Sequence, residues 1–288
     1  MMIKILILVF SVGVLLSSHA QEAAEKKFQA GIILGSGLNF ITPGTKLISD
    51  TAVGTDLTIG MNFNYNFNIS STVGVSSGLE FDFESFKYKA SGVSPLYYYY
   101  NDSQILTKNN YLDGDGVYSS LPASTKLYQV NKRTEKPIYL TIPTMMLFRT
   151  KYIGYIRYFG KFGIRNSFLL KSTIFDQGNS YEGIVPTPTP TAMKNDNMSS
   201  SKRDLSIYKG SVGISGGAEW NFSGSTCLLA ELGYYYGFVN ISRGNAIVGD
   251  PEKNMTVFTT FDSALHPSVY TPLSLKQNQL LLKVSILF

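Results

Sequence analysis

The 288-residue sequence predicts an all-β chain, an eight-stranded antiparallel transmembrane up-and-down β-barrel. Three observations carry that expectation. Eight segments alternate apolar and polar residues with the period of a strand. The joins between them alternate strictly between short and long. The last ten residues, QLLLKVSILF, form an alternating strand that ends on an aromatic side chain.

The predicted strands cover residues 27–40, 56–69, 72–87, 137–148, 152–171, 205–222, 226–241 and 277–288. The first sets Phe28, Ala30, Ile32, Leu34 and Leu38 against Gly31, Gly35, Gly37 and Asn39. In the second, Leu57, Ile59, Met61, Phe63, Tyr65 and Phe67 alternate with Thr58, Gly60 and four asparagines. The third places Val73, Val75, Leu79, Phe81 and Phe83 opposite Glu80, Asp82 and Glu84. In the fourth, Ile138, Leu140, Ile142, Met146 and Phe148 point outward, and Pro143, which donates no ladder hydrogen bond, predicts a bulge.

The fifth carries Ile156, Tyr158, Phe162, Ile164, Phe168 and Leu170 on one face. Arg157, Lys161, Arg165 and Lys171 occupy the other. The sixth alternates Val212, Ile214, Ala218, Trp220 and Phe222 with Gly213, Ser215, Gly217, Glu219 and Asn221. In the seventh, Leu228, Ala230, Leu232, Tyr234, Tyr236 and Phe238 face away from Glu231 and three neighbours. The eighth has Leu280, Leu282, Val284, Ile286 and Phe288 in one apolar row with Lys283 on the other face. A lysine facing lipid at mid-bilayer costs about 2–4 kcal/mol, so the apolar rows face lipid and Lys283 faces inward.

The short joins are Ser70-Ser71, Arg149–Lys151 and Ser223-Gly224-Ser225; the long ones are 41–55, 88–136, 172–204 and 242–276. Short turns in the periplasm and long loops outside are the pattern of outer-membrane barrels. Lys126–Val130 and the tyrosine run of the second long loop have strand-like composition, which leaves a ten-stranded alternative open.

Residues 1–20 read as a signal peptide: Lys4 is the positive start, Ile5–Leu16 the apolar run, and Ser18-His19-Ala20 a small-x-small cleavage site. About twelve apolar residues are too few to span a bilayer as a helix. The barrel domain is then expected over 21–288, in the outer membrane of a Gram-negative bacterium. Formal charge is +5 with 25 basic and 20 acidic side chains, too mild and scattered to suggest nucleic-acid binding. Cys227 is the one cysteine, expected to be a small strand residue.

The expected interior network joins Glu80, Asp82, Glu84, Glu219 and Glu231 to Arg157, Lys161, Arg165 and Lys283, with Arg149 near the turn. Counted from the turns, Arg157, Glu219 and Glu231 share a level and Lys161 lies nearer Glu80. An eight-stranded interior holds little beyond its own side chains, so a salt-bridged plug is expected rather than a pore. Tyr97, Tyr98, Tyr99 and Tyr100 form either an aromatic binding platform or a girdle segment at the headgroups. Asp113-Gly114-Asp115-Gly116 has the look of a calcium loop but lacks the closing bidentate glutamate, so no metal is expected. Pro186–Pro190 predicts an extended exposed stretch. Asp50-Thr51-Ala52 and Asp262-Ser263-Ala264 are similar to short O-glycosylation sequons. With His19 in the signal, His266 is the single histidine of the mature chain, and no catalytic residues or cofactor are expected.

Four stretches, "IYLTIPTMML", "GSVGISGGAEWNF", "LLAELGYYYGFVNIS" and "QLLLKVSILF", give the chain a resemblance to the PorT-like outer-membrane barrel family of Bacteroidota. The resemblance spans roughly residues 27–288 and is one of pattern and short motifs. It implies the same eight-stranded barrel and, for one reading, an accessory place in a type IX secretion assembly. The other reading is a non-enzymatic barrel whose surface loops bind or organise the envelope, and a narrow solute pore is a third. The aromatic terminus Phe288 resembles the insertion signal of outer-membrane barrels. Expected partners are therefore outer-membrane lipid, the barrel-insertion machinery, and secretion-system or surface proteins.

Overall fold

A computed structural model describes residues 27–67, 72–91, 95–101, 104–106, 121, 124–196, 204–223, 226–242, 258–268 and 274–288. Among them, fifteen strands are present. They are β1 (Phe28–Pro43), β2 (Ile48–Asn66), β3 (Val73–Ala90), β4 (Leu96–Asn101) and β5 (Gln104–Ile105), then β6 (Lys126–Glu135), β7 (Ile138–Arg149), β8 (Ile156–Lys171), β9 (Ile174–Tyr181) and β10 (Thr191–Asp196). The last five are β11 (Tyr208–Ser223), β12 (Thr226–Gly237), β13 (Thr260–Phe261), β14 (Pro267–Ser268) and β15 (Leu275–Leu287).

Eight of these close a ring. The order β3-β2-β1-β15-β12-β11-β8-β7 returns on itself because β7 also pairs with β3, all antiparallel. Closure leaves no strand edge in lipid, where an open backbone group would find no partner. The terminal strand joins two neighbours: Lys283 lies opposite Gly35 on β1 and opposite Glu231 on β12. Glycine at 35 makes room for the lysine stem, since a methyl there would come within 3.1 Å of Lys283 Cγ.

The face assignments hold along every ring strand. Ile32, Leu34, Ile59, Phe81, Phe162, Ile214, Leu232, Leu282 and Phe288 are exposed, while the residues between them are buried or half-buried. Lys171, expected inside, is exposed at the upper end of β8. The ladder is not bulged at Pro143. Pairing of β3 with β7 lapses between Ser77↔Thr144 and Glu80↔Thr141 and resumes in the same register. Ser77 Oγ donates to the Pro143 carbonyl at 2.8 Å, and the bulge of this strand lies instead at Ile138/Tyr139, on the β8 side.

The second long loop adds strands without widening the ring. β6 runs on into β7 across Lys136-Pro137, and β8 runs on into β9 across Ser172-Thr173. The two pairs form one hairpin that rises past the barrel, Glu135↔Ile174 at its base and Leu127↔Tyr181 near its tip. The free side of β6 takes the top of β3 and then β4, while β10 adds to β9. We call this upper sheet the crown. The first loop is much shorter than expected, because β1 and β2 extend to Pro43 and Ile48.

At the end opposite the crown one short turn is described. Residues 150–155 link β7 to β8 with Gly154 at φ 64°, a left-handed conformation that suits glycine. The turns proposed at Ser70-Ser71 and Gly224-Ser225 lie outside the described residues, as do the signal segment 1–20 and Asp113–Gly116. The Pro186–Pro190 stretch joins β9 to β10 as irregular backbone. Ser263 is exposed at the turn between β13 and β14.

Candidate functional site

The barrel interior is built in layers of charge and hydrocarbon. Strand alternation turns every second residue inward, so each inward polar position meets others from neighbouring strands. Among the described residues six acids are buried there (Asp56, Glu80, Asp82, Glu84, Glu219 and Glu231), against six bases (Arg149, Arg157, Lys161, Arg165, Lys209 and Lys283). Equal numbers matter because a single unpaired buried charge costs about 3–5 kcal/mol.

Near the end that carries the 150–155 turn, Arg157 donates to Glu219 at 2.6 Å, and Arg149 lies 3.4 Å from the other oxygen of Glu219. Tyr152 also donates to Glu219, at 2.9 Å. An apolar layer of Leu147, Phe159, Cys227, Leu229 and Leu287 packs at this end. Cys227 is buried within it, a small strand residue as expected. Higher up, Lys161 binds Glu231 at 2.6 Å, and Met145, Tyr235 and Leu281 make a second apolar layer. A methyl on Gly213 would collide with the ring of Tyr235, so glycine is what lets that ring lie across the lumen.

The upper layer is the densest. Arg165 donates to Glu80 at 2.8 Å and to Asp82 at 2.9 Å, and Lys283 spans both oxygens of Glu80 at 2.7 and 2.8 Å. Lys209 pairs with Glu84, whose two oxygens also accept from Gln277 and Gln279. Gln279 donates to Asp56 as well, at 3.0 Å. The nine interior residues named from the sequence are thus brought together, with one change of partner. Lys161 pairs with Glu231 rather than Glu80, because barrel shear offsets strands that look level when counted from their turns. Lys209 and Asp56 were missed. Both have the inward parity: Asp56 is the first residue of the second predicted strand, and Lys209 lies in the sixth, ahead of the stretch where its alternation is clear.

The tyrosine run is neither a surface platform nor a headgroup girdle. All four rings are buried, Tyr97 at 8%, Tyr98 at 0%, Tyr99 at 2% and Tyr100 at 6% exposure. β4 pairs with β6, and alternation sends Tyr98 and Tyr100 to one face and Tyr97 and Tyr99 to the other. The first pair joins Ile41, Ile48, Phe86, Tyr88, Tyr128, Phe258 and Leu275 in an apolar core over the barrel mouth. The second joins Leu106, Leu127 and Tyr181 on the far side of the sheet. Each hydroxyl that enters this core needs a partner. Tyr98 donates to Asp176 at 2.9 Å, Tyr99 to the Ile184 carbonyl at 3.2 Å, and Tyr100 meets Ser180 at 2.6 Å.

At the base of the crown Arg133 makes a two-pronged bond with Asp176, both contacts 2.8 Å, and reaches Asp204 at 3.2 Å. Its guanidinium lies 4.9 Å from the centre of Phe258 and 5.6 Å from that of Tyr98. Burial works against the charge, yet Asp176 outweighs it and holds the Arg133 pKa well above the usual arginine range. Glu135, two residues along β6, behaves oppositely. Burial pushes its carboxyl up to about 8, against the pull of Arg133 and the bond it accepts from Tyr88.

His266 has a carboxylate neighbour that the sequence did not advertise. Its Nδ1 lies 3.2 Å from Asp262, whose other oxygen accepts from the amides of Ala264 and His266. The arrangement closes the exposed turn between β13 and β14. Among the described residues no cluster of His, Cys, Asp and Glu could hold a metal ion.

The chain belongs to the outer membrane protein beta-barrel domain family, whose model matches residues 19–243. No match was found among curated proteins. Among solved structures it is similar to the outer membrane protein OprG from Pseudomonas aeruginosa, at 12% identity over 92% of this chain and 98% of that one, with a TM-score of 0.40. It is also similar to Ail, the attachment invasion locus protein of Yersinia pestis, at 11% identity over 91% and 100%, TM-score 0.32. A third is the outer membrane protease OmpT from Escherichia coli, at 10% identity over 94% and 99%, TM-score 0.27. At these identities and TM-scores none of the three bears on activity.

Proposed function

We propose that this outer-membrane barrel is a closed, non-conducting and non-enzymatic body whose crown is its working surface, for binding or for organising the envelope. The observation that carries the reading is double closure. The lumen is crossed by the Arg165–Glu80–Asp82–Lys283 layer, and the mouth is covered by the aromatic core around Tyr98 and Tyr128. A solute would have to break buried ion pairs and then part a packed core. Loops and extensions on a rigid frame are where binding commonly resides, and here the extension is itself braced. Planar-bilayer recording of the purified protein tests the proposal: no steady conductance is expected, and a steady porin-like current would overturn it.

The same proposal takes residues 1–20 as an export signal and Phe288 as the mark read by the insertion machinery. Deleting Phe288 is expected to lower outer-membrane levels much more than it alters the fold. Crosslinking in intact outer membranes distinguishes the surface role from a place in a secretion assembly. Stable co-purification with secretion components would replace the surface reading with the accessory one, in keeping with the PorT-like resemblance.

A further inference from the structure

Five lysines stand on one outward patch where the barrel passes into the crown. Lys87 and Lys89 belong to β3, Lys132 to β6, Lys136 to the link between β6 and β7, and Lys171 to the end of β8. Register holds them together. Lys87 lies opposite Thr134 and Lys89 directly opposite Lys132, while Lys171 lies opposite Ile138. The Lys136 and Thr173 backbones bond to each other in both directions. Their strand neighbours Phe86, Tyr88, Arg133 and Glu135 are buried, so alternation puts the lysines on the outer face. Lys89, Lys136 and Lys171 are exposed, and Lys87 and Lys132 half-exposed.

The height of the patch is informative. Phe81 and Phe83 on β3 and Phe168 and Leu170 on β8 are the last large exposed apolar side chains below it. Lys171 follows directly, and Lys87 lies four residues above Phe83. At about 3.4 Å per residue and a tilt of about 40°, that is roughly 10 Å above the hydrocarbon edge. The headgroup layer is about 5–8 Å deep on each side, so Lys171 falls within it, Lys87 lies just above its upper edge, and Lys89 and Lys132 lie beyond it, at the level a glycolipid's sugars would reach.

Charge then selects the occupant. The carboxylates that β3, β6 and β9 carry at this level, Glu84, Glu135 and Asp176, all point inward and are engaged there by Lys209, Tyr88 and Arg133. Amid the lysines stands the ring of Phe175, with Lys136 Nζ 4.8 Å from its centre. A half-exposed aromatic ring capped by the Lys136 ammonium group, with further lysines on the neighbouring strands, offers a contact surface for a sugar and donors for phosphate. We propose that this patch binds the phosphorylated sugar headgroup of an outer-leaflet glycolipid. The inference rests on the outer-membrane setting but not on the lumen being closed, so a conducting barrel would leave it standing.

The test uses the full chain, folded in detergent and mixed with diphosphorylated lipid A, with retained lipid counted by native mass spectrometry. The variant is K87Q/K132Q/K136Q/K171Q, with heat-modifiable gel migration as the check that it folds. Wild type is expected to retain the lipid. The variant should lose at least tenfold in affinity, given roughly fivefold per basic side chain near a membrane surface. A second variant, K46Q/K276Q, removes exposed lysines across the barrel and should bind as wild type does. Dephosphorylated lipid A should bind as weakly as the quadruple variant does. Equal retention by wild type and the quadruple variant would overturn the proposal. So would equal retention of phosphatidylglycerol, which would reduce the patch to non-specific charge. If the quadruple variant fails to fold, dephosphorylated and intact lipid A on the wild type decide alone.

Discussion

Inside the barrel, twelve charged side chains among the described residues are spread over the length of the lumen and most share their partners: Glu80 serves Arg165 and Lys283, and Glu219 serves Arg149 and Arg157. In the crown one guanidinium, Arg133, is held by Asp176 and Asp204 and walled by Phe258 and Tyr98, with Glu135 close by. The ring strands have no choice about polar groups, because lipid takes the outer face and the inner face must absorb everything else. The crown is free of that rule. It buries aromatic rings on both faces of its sheet and uses one buried guanidinium, ion-paired to both Asp176 and Asp204, to tie β6, β9 and the segment at Asp204 together. The contrast teaches that the lumen is held by a shared network, whereas the crown is held by hydrocarbon around one charge.

That difference can be broken deliberately. Replacing Arg165 by methionine leaves Glu80 and Asp82 short of their shared partner and should cost about 3–5 kcal/mol. Urea unfolding of the whole barrel in micelles, followed by gel migration, would report it. Arg133→Met should cost nearly as much, about 3 kcal/mol, but locally. Limited proteolysis should then cut the crown while the barrel keeps its folded migration, and joint loss of both would show that the two regions fold as one unit.

A graded effect comes from pH. Glu135 holds its proton in the fold up to about 8, against an ordinary value near 4.5. Its folded pKa is raised, so its contribution to crown stability is complete below about 4.5 and is lost as pH rises through about 8. Hydrogen exchange of β6 and β9 should quicken between about pH 5 and 8 beyond the intrinsic rate, and Glu135→Gln should flatten that excess. The smallest expected effect is at the tip, where Lys126 meets Glu182 at 2.6 Å with both side chains well exposed. Lys126→Ala should change stability by at most about 1 kcal/mol, measured by the same urea titration.

Much of the barrel was legible because the bilayer enforces a rule on each strand separately. An apolar row must face lipid, so the parity of Leu280–Phe288 or Leu57–Phe67 decides the orientation without reference to any neighbour. The same parity named Arg157, Lys161, Arg165, Glu219 and Lys283 as interior residues. It failed at the ends, where Lys209 and Asp56 lay ahead of the clear alternation, and at Lys171, which the bulge opposite Ile138/Tyr139 turns outward. The tyrosines were misread for a related reason: four consecutive aromatics have no polar face, so nothing local says that both faces are covered.

The sequence by itself determined the eight lipid-facing strands, their antiparallel order and the inward placement of charge, since each follows from period-two alternation against one apolar solvent. Only the tertiary structure decided which charge meets which, because shear shifts levels between strands and moves Lys161 from Glu80 to Glu231. It alone decided that Tyr97–Tyr100 become a buried core, because both faces of β4 are covered by residues far away in the chain. It alone also gathered Lys87, Lys89, Lys132, Lys136 and Lys171 on one face, through a pairing of β3 with β6 that no local pattern encodes.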